Sequence, residues 1–358
     1  MEKLNQTIAS VGPLDAEAMQ AARERQDQLT KPQGSLGVLE DLSVQLAGIQ
    51  GKAQPQVDKK VIIVMAGDHG VVAEGVSAFP QEVTPQMVAN FTHGGAGINV
   101  LSRHVGAEVR VVDVGVAAKV DIPGVLQKKV RPGTANMVSG PAMSREEAVA
   151  SLEAGIEVAE AEIAAGADLL GTGDMGIGNT TPSSAILTVL TGADLSITVG
   201  RGTGIGAPAL EQKKEVIRRA ITVNEPDAAD GIDVLAKVGG LEIGGLAGVI
   251  LGAAANRVPV VIDGFISGAA ALIAASVCPQ SKNYMIASHV SVEPGHKLIL
   301  EELGLKPMLF MDMRLGEGTG GALASSLVEA AAKVLSEMAT FADAGVAEKN
   351  EKKTQQSN

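Results

Sequence analysis

The chain has 358 residues, 46% of them hydrophobic, enough to bury the core of a large domain and incompatible with a disordered chain. Its net charge of −12, its basic residues clustered no further than pairs, and its content of no Trp, one Tyr and five Phe argue against nucleic-acid binding. The longest apolar runs fall short of the roughly 20 residues a bilayer span needs. A single cysteine, Cys278, rules out an intrachain disulfide, and the amino terminus lacks a secretory pattern, so a cytoplasmic enzyme is expected.

In chain order, residues 14–50 read as two helices broken at Pro32 and Gly34. From residue 60 onward, short apolar runs alternate with Ala-rich helical stretches. Strands are predicted at 61–66, 109–114, 168–172, 196–199, 259–263, 284–288 and 308–312. Their nearly continuous apolar character predicts burial on both faces, as in a parallel sheet. A last helix is predicted over 323–344. The expected class is α/β, a Rossmann-like, doubly wound, mainly parallel sheet with helices on both faces. The large α/β domain is placed at 60–318, and residues 1–59 with 319–347 form a small helical subdomain. Residues 348–358, all polar or charged, are expected to be disordered.

Ligands of open parallel sheets bind beyond the carboxyl ends of the strands, so the loops that follow strands carry the functional signal. In GTGDMGIGNTT (171–181), Gly176 and Gly178 allow backbone amides to approach an anion ahead of a helix that Thr180 or Thr181 would cap. A plain strand-to-helix turn explains the same glycines equally well. Gly171, Gly173 and Gly176 also satisfy GxGxxG, with Asp194 at the spacing of a dinucleotide site. That reading is discounted because the motif follows the third predicted strand, and Asp174 would set a carboxylate among phosphate-binding amides. It stands as the competing oxidoreductase reading. The VGRGTG turn (199–204) brings Gly202, with Arg201 or Lys213, toward the same anion, although solvated cations account for the spacing too.

In RLGEGTGG (314–321), Glu317 stands between Gly316 and Gly318 after a predicted strand, placed either as a general base or as an exposed loop acid. The histidines, including His289 and His296, lack metal-ligand spacing and are read as orienting loops by hydrogen bonds. Ser267 lies outside any nucleophile-elbow pattern.

Taken together, TKPQGSLGVLEDL (30–42), AGDHGVVAEGVSAFPQEVTPQMVANF (66–91), GDMGIGNTTPSSA (173–185), GRGTG (200–204), the 239–267 stretch and the 293–324 stretch ending in LGEGTGGALA resemble one family. It is the nicotinate-nucleotide:dimethylbenzimidazole phosphoribosyltransferases of cobalamin biosynthesis, matched over nearly the whole chain. The resemblance implies transfer of phosphoribose from nicotinate mononucleotide to 5,6-dimethylbenzimidazole or a related base, with anomeric inversion, by a homodimer that needs no metal or cofactor. It assigns the base role to Glu317 and places Asp174 at the reacting centre. It assigns phosphate and ribose binding to Gly176, Ile177, Gly178, Asn179, Thr180, Gly202, Lys213, Gly316, Gly318 and Thr319. Ser77, Phe79, Gln86, Met175 and Leu315 would line a flat base pocket. Two departures stand out: GDMGIGN has Asp174 where the family usually has Glu, and Gly206-Ala207 replaces frequent acids. A non-catalytic nucleotide-binding homologue is the remaining alternative, opposed by the joint presence of Glu317, Lys213 and the anion loop.

Overall fold

A computed structural model describes residues 1–347; the expected disordered tail lies outside the described residues. The described chain forms two compact units, Met1–Pro13 with Asp58–Ser326, and Leu14–Val57 with the described part of Leu327–Asn358. In the smaller unit, α2 (Ala16–Gln28) and α3 (Val38–Gln50) bury Ala22, Val44 and Ala47 against Leu335 of α14 (Thr319–Glu337). The Asp15 side chain caps α2 through the Ala18 amide. Where one helix was expected at 323–344, α14 begins earlier and ends at Glu337. Thr340 then caps a separate turn, α15 (Phe341–Ala344).

The larger unit begins with α1 (Glu2–Ser10) and is built on six parallel strands in the order β3-β2-β1-β4-β5-β6. These are β1 (Lys60–Gly67), β2 (Ala107–Gly115), β3 (Val125–Gln127), β4 (Leu169–Met175), β5 (Val260–Ile262) and β6 (Met285–Ala287). The chain moves outward on one side from β1 and on the other from β4, so the strand order reverses between those two, the place where doubly wound sheets generally open a crevice at their carboxyl ends. All eight residues of β1 are buried. Its Ile62, Val64 and Ala66 pack against α4 (Val83–Thr92) and α5 (Gly97–Val105), while Met65 meets Gly245 of α11 (Leu241–Ala255), so alternate residues serve opposite layers.

Two of the predicted strands are not strands. Residues 196–199 form a helical turn, α8 (Leu195–Thr198), because the Asp194 side chain accepts the Ser196 amide and starts a helix before the run can extend. Residues 308–312 make one bridge, Leu309 to His289, and then turn outward with Phe310 77% exposed and Asp312 at φ +52°. Three residues of β6 offer too short an edge for a longer ladder. The short edge strand β3 carries too few residues to be seen as a periodic signal.

The remaining helices cover the strands and shape the crevice: α6 (Arg145–Ala164), α7 (Thr180–Thr191), α9 (Ala207–Asn224), α10 (Gly231–Val238), α12 (Phe265–Val277) and α13 (Gly295–Leu303). A Ser144–Glu147 capping box starts α6. Helices α6 and α11 approach to backbone contact. A Cβ on Gly155 would lie 1.8 Å from the Gly245 carbonyl oxygen, and one on Gly248 would lie 2.0 Å from that of Leu152. Neither obstacle is a side chain that could rotate away. Gly155→Ala is therefore expected to force the two helices apart at a cost of about 3 kcal/mol. Thermal unfolding checks this, and an unchanged melting temperature would contradict the packing.

Candidate active site

Beyond the carboxyl ends of β4, β5 and β6 lies a cleft with an empty volume, mouth included, of ≈ 550 Å³. Asp174, Asn179, Thr180, Gly202, Leu315 and Gly316 all line it, together with Thr203, Phe265, His289, Ser291, Glu293 and Arg314. Six residues expected from sequence thus meet in one place, although they come from β4, the start of α7 and two distant loops.

Glu317 adjoins this cleft through a strained turn. It adopts φ +62° between Gly316 at +79° and Gly318 at +93°, a conformation that costs a non-glycine residue about 1–3 kcal/mol. Several contacts enforce it. The Glu317 carbonyl lies where a Cβ on Gly173 would stand, 2.4 Å away, and the Thr319 amide closes the turn onto the Gly316 carbonyl at 3.0 Å. The Glu317 Oε2 accepts the Ile98 amide at 3.0 Å, in the first turn of α5, where Ala96 has no side-chain acceptor to offer. A carboxylate thus takes the capping role by tertiary contact, at the positive end of the helix dipole. Burial pushes the Glu317 carboxyl up from its ordinary range; the Ile98 amide opposes this, and the charge of Asp263 adds to it. Only 6% of Glu317 is exposed, so it is not the loop decoration that its glycine neighbours would allow.

Asp174 is the last polar residue of β4 rather than part of a loop, because the strand runs on to Met175. Its Oδ2 accepts the Asn179 side-chain amide at 2.9 Å. Burial, then the neighbouring charge of Asp263, raises its pKa to about 8 against the single opposing bond from Asn179. At neutral pH it is a protonated acid that can donate a hydrogen bond.

The anion side of the cleft centres on Lys213, which is fully buried. Its Nζ donates to Thr180 Oγ1 at 2.7 Å and to the Gly200 carbonyl at 3.3 Å. Burial lowers its pKa to about 8, with the nearby Glu293 carboxylate opposing the fall. Arg201, the alternative cation, is exposed. The helix bearing Lys213, α9, starts at Gly206 without a side-chain cap and with Pro208 in its first turn.

Part of the expected anion cradle is already engaged. The Ile177 amide donates to Thr84 Oγ1 at 3.1 Å, and the Asn179 amide donates to the Gly176 carbonyl. Thr180 is the first residue of α7 rather than its cap, and Thr181 follows inside the helix; the cap position is Asn179. Gly178, at φ +87°, makes the turn. Gly176 packs against the Gly67 carbonyl and His69. Gly318 and Thr319 shape the Glu317 turn behind the lining.

Of the residues assigned to a base pocket, Leu315 lines the cleft and is 60% exposed. The Ser77–Phe79 loop is fastened near it, since the Ala78 amide donates to Thr203 Oγ1 and the Phe79 amide to Ser77 Oγ. Met175 packs into the core between the sheet and α4, and Gln86 is exposed on α4. These four are not part of the cleft lining.

The GxGxxG glycines serve packing. Gly171 and Gly173 pair with Ile62 and Val64 of β1 inside the ladder, where their amides cannot surround a pyrophosphate, and Asp194 is the α8 cap. The dinucleotide reading fails on that placement.

A family model described as "Phosphoribosyltransferase" matches residues 11–346. A nicotinate-nucleotide–dimethylbenzimidazole phosphoribosyltransferase of Desulforudis audaxviator is 61% identical over 351 residues, 97% of this chain and 99% of the relative. One of the same name from Dehalococcoides mccartyi is 60% identical over 350 residues, 98% of this chain and 99% of the relative. The chain belongs to the nicotinate-nucleotide–dimethylbenzimidazole phosphoribosyltransferase family. The crystal structure of a family member from Thermus thermophilus, 47% identical, superposes with a TM-score of 0.89 over 94% of this chain and all of that one.

For this phosphoribosyltransferase, sequence reasoning missed Glu293 in the lining and Asp263 behind it, which carry no local motif, whereas His289 and His296 were expected to orient loops. The His69–Glu242 pair (Nε2 to Oε1, 2.7 Å) is buried outside the lining. His296, whose pKa burial and then His289 push down to about 3, is neutral and accepts the Ser291 amide at 2.9 Å, orienting the loop that bounds the cleft. No helix among the described residues is long and apolar enough to cross a membrane.

The Asp174 carboxyl sets a stability test. With its folded pKa raised to about 8, the folded state binds a proton that the unfolded state has already lost above about pH 4, so its contribution to stability declines as pH rises from there toward 8. Asp174→Asn keeps an oxygen for Asn179 and cannot ionise. Its melting temperature is expected to gain on the unmodified protein from pH 5 to pH 8; a gap independent of pH would show that Asp174 is not held protonated.

Proposed function

We propose that this enzyme moves the phosphoribosyl group of nicotinate mononucleotide onto 5,6-dimethylbenzimidazole or a related flat azole, in the assembly of the cobalamin nucleotide loop. The observation that carries the reading is a buried base and a buried cation bordering one cleft: Glu317 on its strained turn and Lys213 beneath Thr180. In this proposal the substrate phosphate sits against Lys213, Thr180 and the Gly202 turn, with Arg314 on the same wall. The azole lies along Leu315, beneath the Ser77–Phe79 loop.

The pyridinium of nicotinate mononucleotide is a good leaving group, so positioning supplies much of the catalysis. One azole nitrogen attacks the anomeric carbon while its bond to the pyridine nitrogen breaks, and that electron pair returns to the departing nicotinate. Attack from the face opposite the leaving group inverts the anomeric carbon. The proton on the second azole nitrogen passes to Glu317, which its apolar surroundings make a stronger base than a solvated glutamate. Asp174 stays protonated and donates a hydrogen bond toward the reacting groups. Being one methylene shorter than the glutamate usual in the family, it stands back by about 1 Å, a difference large enough to alter which bases are accepted.

The proposed enzyme works as a homodimer in the cytoplasm. Exposed Val292, Phe310 and Met311 supply apolar surface in keeping with self-association, and the lone, buried Cys278 suits a reducing compartment.

Glu317→Gln keeps the size of the side chain and removes the base. It is expected to lower turnover by about 10²- to 10⁴-fold while the Kd for nicotinate mononucleotide is unchanged. Lys213→Met should do the reverse, weakening nicotinate mononucleotide binding by about 10- to 100-fold, the equivalent of a charged hydrogen bond of about 1.5–3 kcal/mol. Calorimetric titration with steady-state assays separates the two effects, and full turnover by the Gln variant would refute the base assignment.

A further inference from the structure

One buried acid has no task in the chemistry above. Asp263 directly follows β5, is 1% exposed, and lies behind a cleft lined by the next three residues, Gly264, Phe265 and Ile266. Its backbone is fixed on both sides. The Asp263 amide donates to Thr172 Oγ1 in β4 at 3.1 Å, and its carbonyl accepts the Ser288 hydroxyl after β6 at 2.8 Å. Its side chain reaches across to α14, where Oδ1 accepts the Gly321 amide at 2.9 Å, and the Gly318 and Gly320 amides also turn toward it. A carboxylate anchored to three strands therefore clasps the amino end of the helix that begins two residues after Glu317.

We propose that Asp263 is the positioning residue of this site: it ties the start of α14 to the sheet and so holds the left-handed turn, with the Glu317 carboxylate upon it, beside the cleft. The proposal rests on the transfer reading above. Glu317 cannot hold this conformation by its own preference, since φ +62° disfavours any side chain, and the turn must be imposed from outside. The α14 amides supply the handle, because the first turn of a helix leaves its N–H groups without partners. Asp263 takes them without touching substrate.

Its charge has a second effect. In its ionised form Asp263 repels a negative charge on Glu317 and favours the protonated form, which makes Glu317 a more avid base; burial pushes the Asp263 carboxyl up as well, opposed by His289 and by the Gly321, Gly320 and Gly318 amides. Several other charged groups face this pair. Asp174 stands on β4, and Glu242 on α11 acts on Asp174. His289 follows β6 with Nδ1 4.0 Å from Asp263 Oδ1, offsetting the aspartate charge when protonated. From α5 only backbone amides reach Glu317; its cationic residues, Arg103 and His104, are in the last turn.

Asp263→Asn leaves an oxygen for the Gly321 amide and removes the charge. Assayed with nicotinate mononucleotide and 5,6-dimethylbenzimidazole, the acidic limb of its kcat/KM profile is expected to move to lower pH, with a plateau reduced on the order of tenfold. A residue that merely stabilises the fold would lower activity without moving that limb. Asp263→Ser, also neutral and able to accept a hydrogen bond, should show the same displacement should the Asn variant fail to fold. An active neutral variant whose acidic limb stays where the unmodified enzyme has it overturns the proposal and leaves the transfer reading intact. Absence of turnover by the unmodified enzyme in the same assay overturns both.

Discussion

Three carboxylates share the dry carboxyl edge of this sheet, and two helix amino termini are placed to stabilise their charge. Asp263 takes the amides of α14, and Glu317 takes the Ile98 amide of α5. Asp174 receives only the Asn179 side chain, and its pKa rises to about 8. Buried like charges cannot all ionise at low cost, so the fold sorts them by the donors each can reach. That sorting sets a neutral acid in the cleft lining, with an anchored carboxyl and a base behind it. Each role depends on the placement of a helix start.

The same constraint explains where the chain tolerates strain and close contact. Glu317 is held at positive φ by a carbonyl packed on Gly173 and by the helix that follows, while Gly97 at the start of α5 leaves room for its carboxylate: a Cβ there would lie 3.3 Å from Oε2. The many glycines serve this approach of backbone to backbone more than they serve anion binding. Gly171, Gly173 and Gly176 are the clearest case, since a pattern that reads as a nucleotide fingerprint is used to fit β4 between its neighbours and the Glu317 turn.

Much of this was legible in the residues. The parallel sheet announced itself through unbroken apolar runs such as 61–66, and Asp174, Asn179, Thr180, Gly202, Leu315 and Gly316 do meet at one cleft. The run at 196–199 misled because an Asp194 cap outweighed β-branched propensity, and the run at 308–312 because its apolar side chains face outward. The engaged amides of Ile177 and Asn179 were beyond reach, since their acceptors are fixed only by the folded turn and by Thr84 from α4. Asp263 was invisible for a related reason. Its partner amides lie some sixty positions along the chain, and DGFISG has no spacing that marks an acid as a helix clasp.

The claim that joins these observations is that the cleft exchanges one nitrogen heterocycle for another on a ribose phosphate. Mass spectrometry of the products formed by the purified enzyme from nicotinate mononucleotide and a mixture of competing azoles tests it directly, with the anomeric configuration read by NMR. The account predicts nicotinate and an α-configured azole riboside phosphate in equal amounts. Release of nicotinate with free ribose phosphate, or a β-configured product, would contradict it.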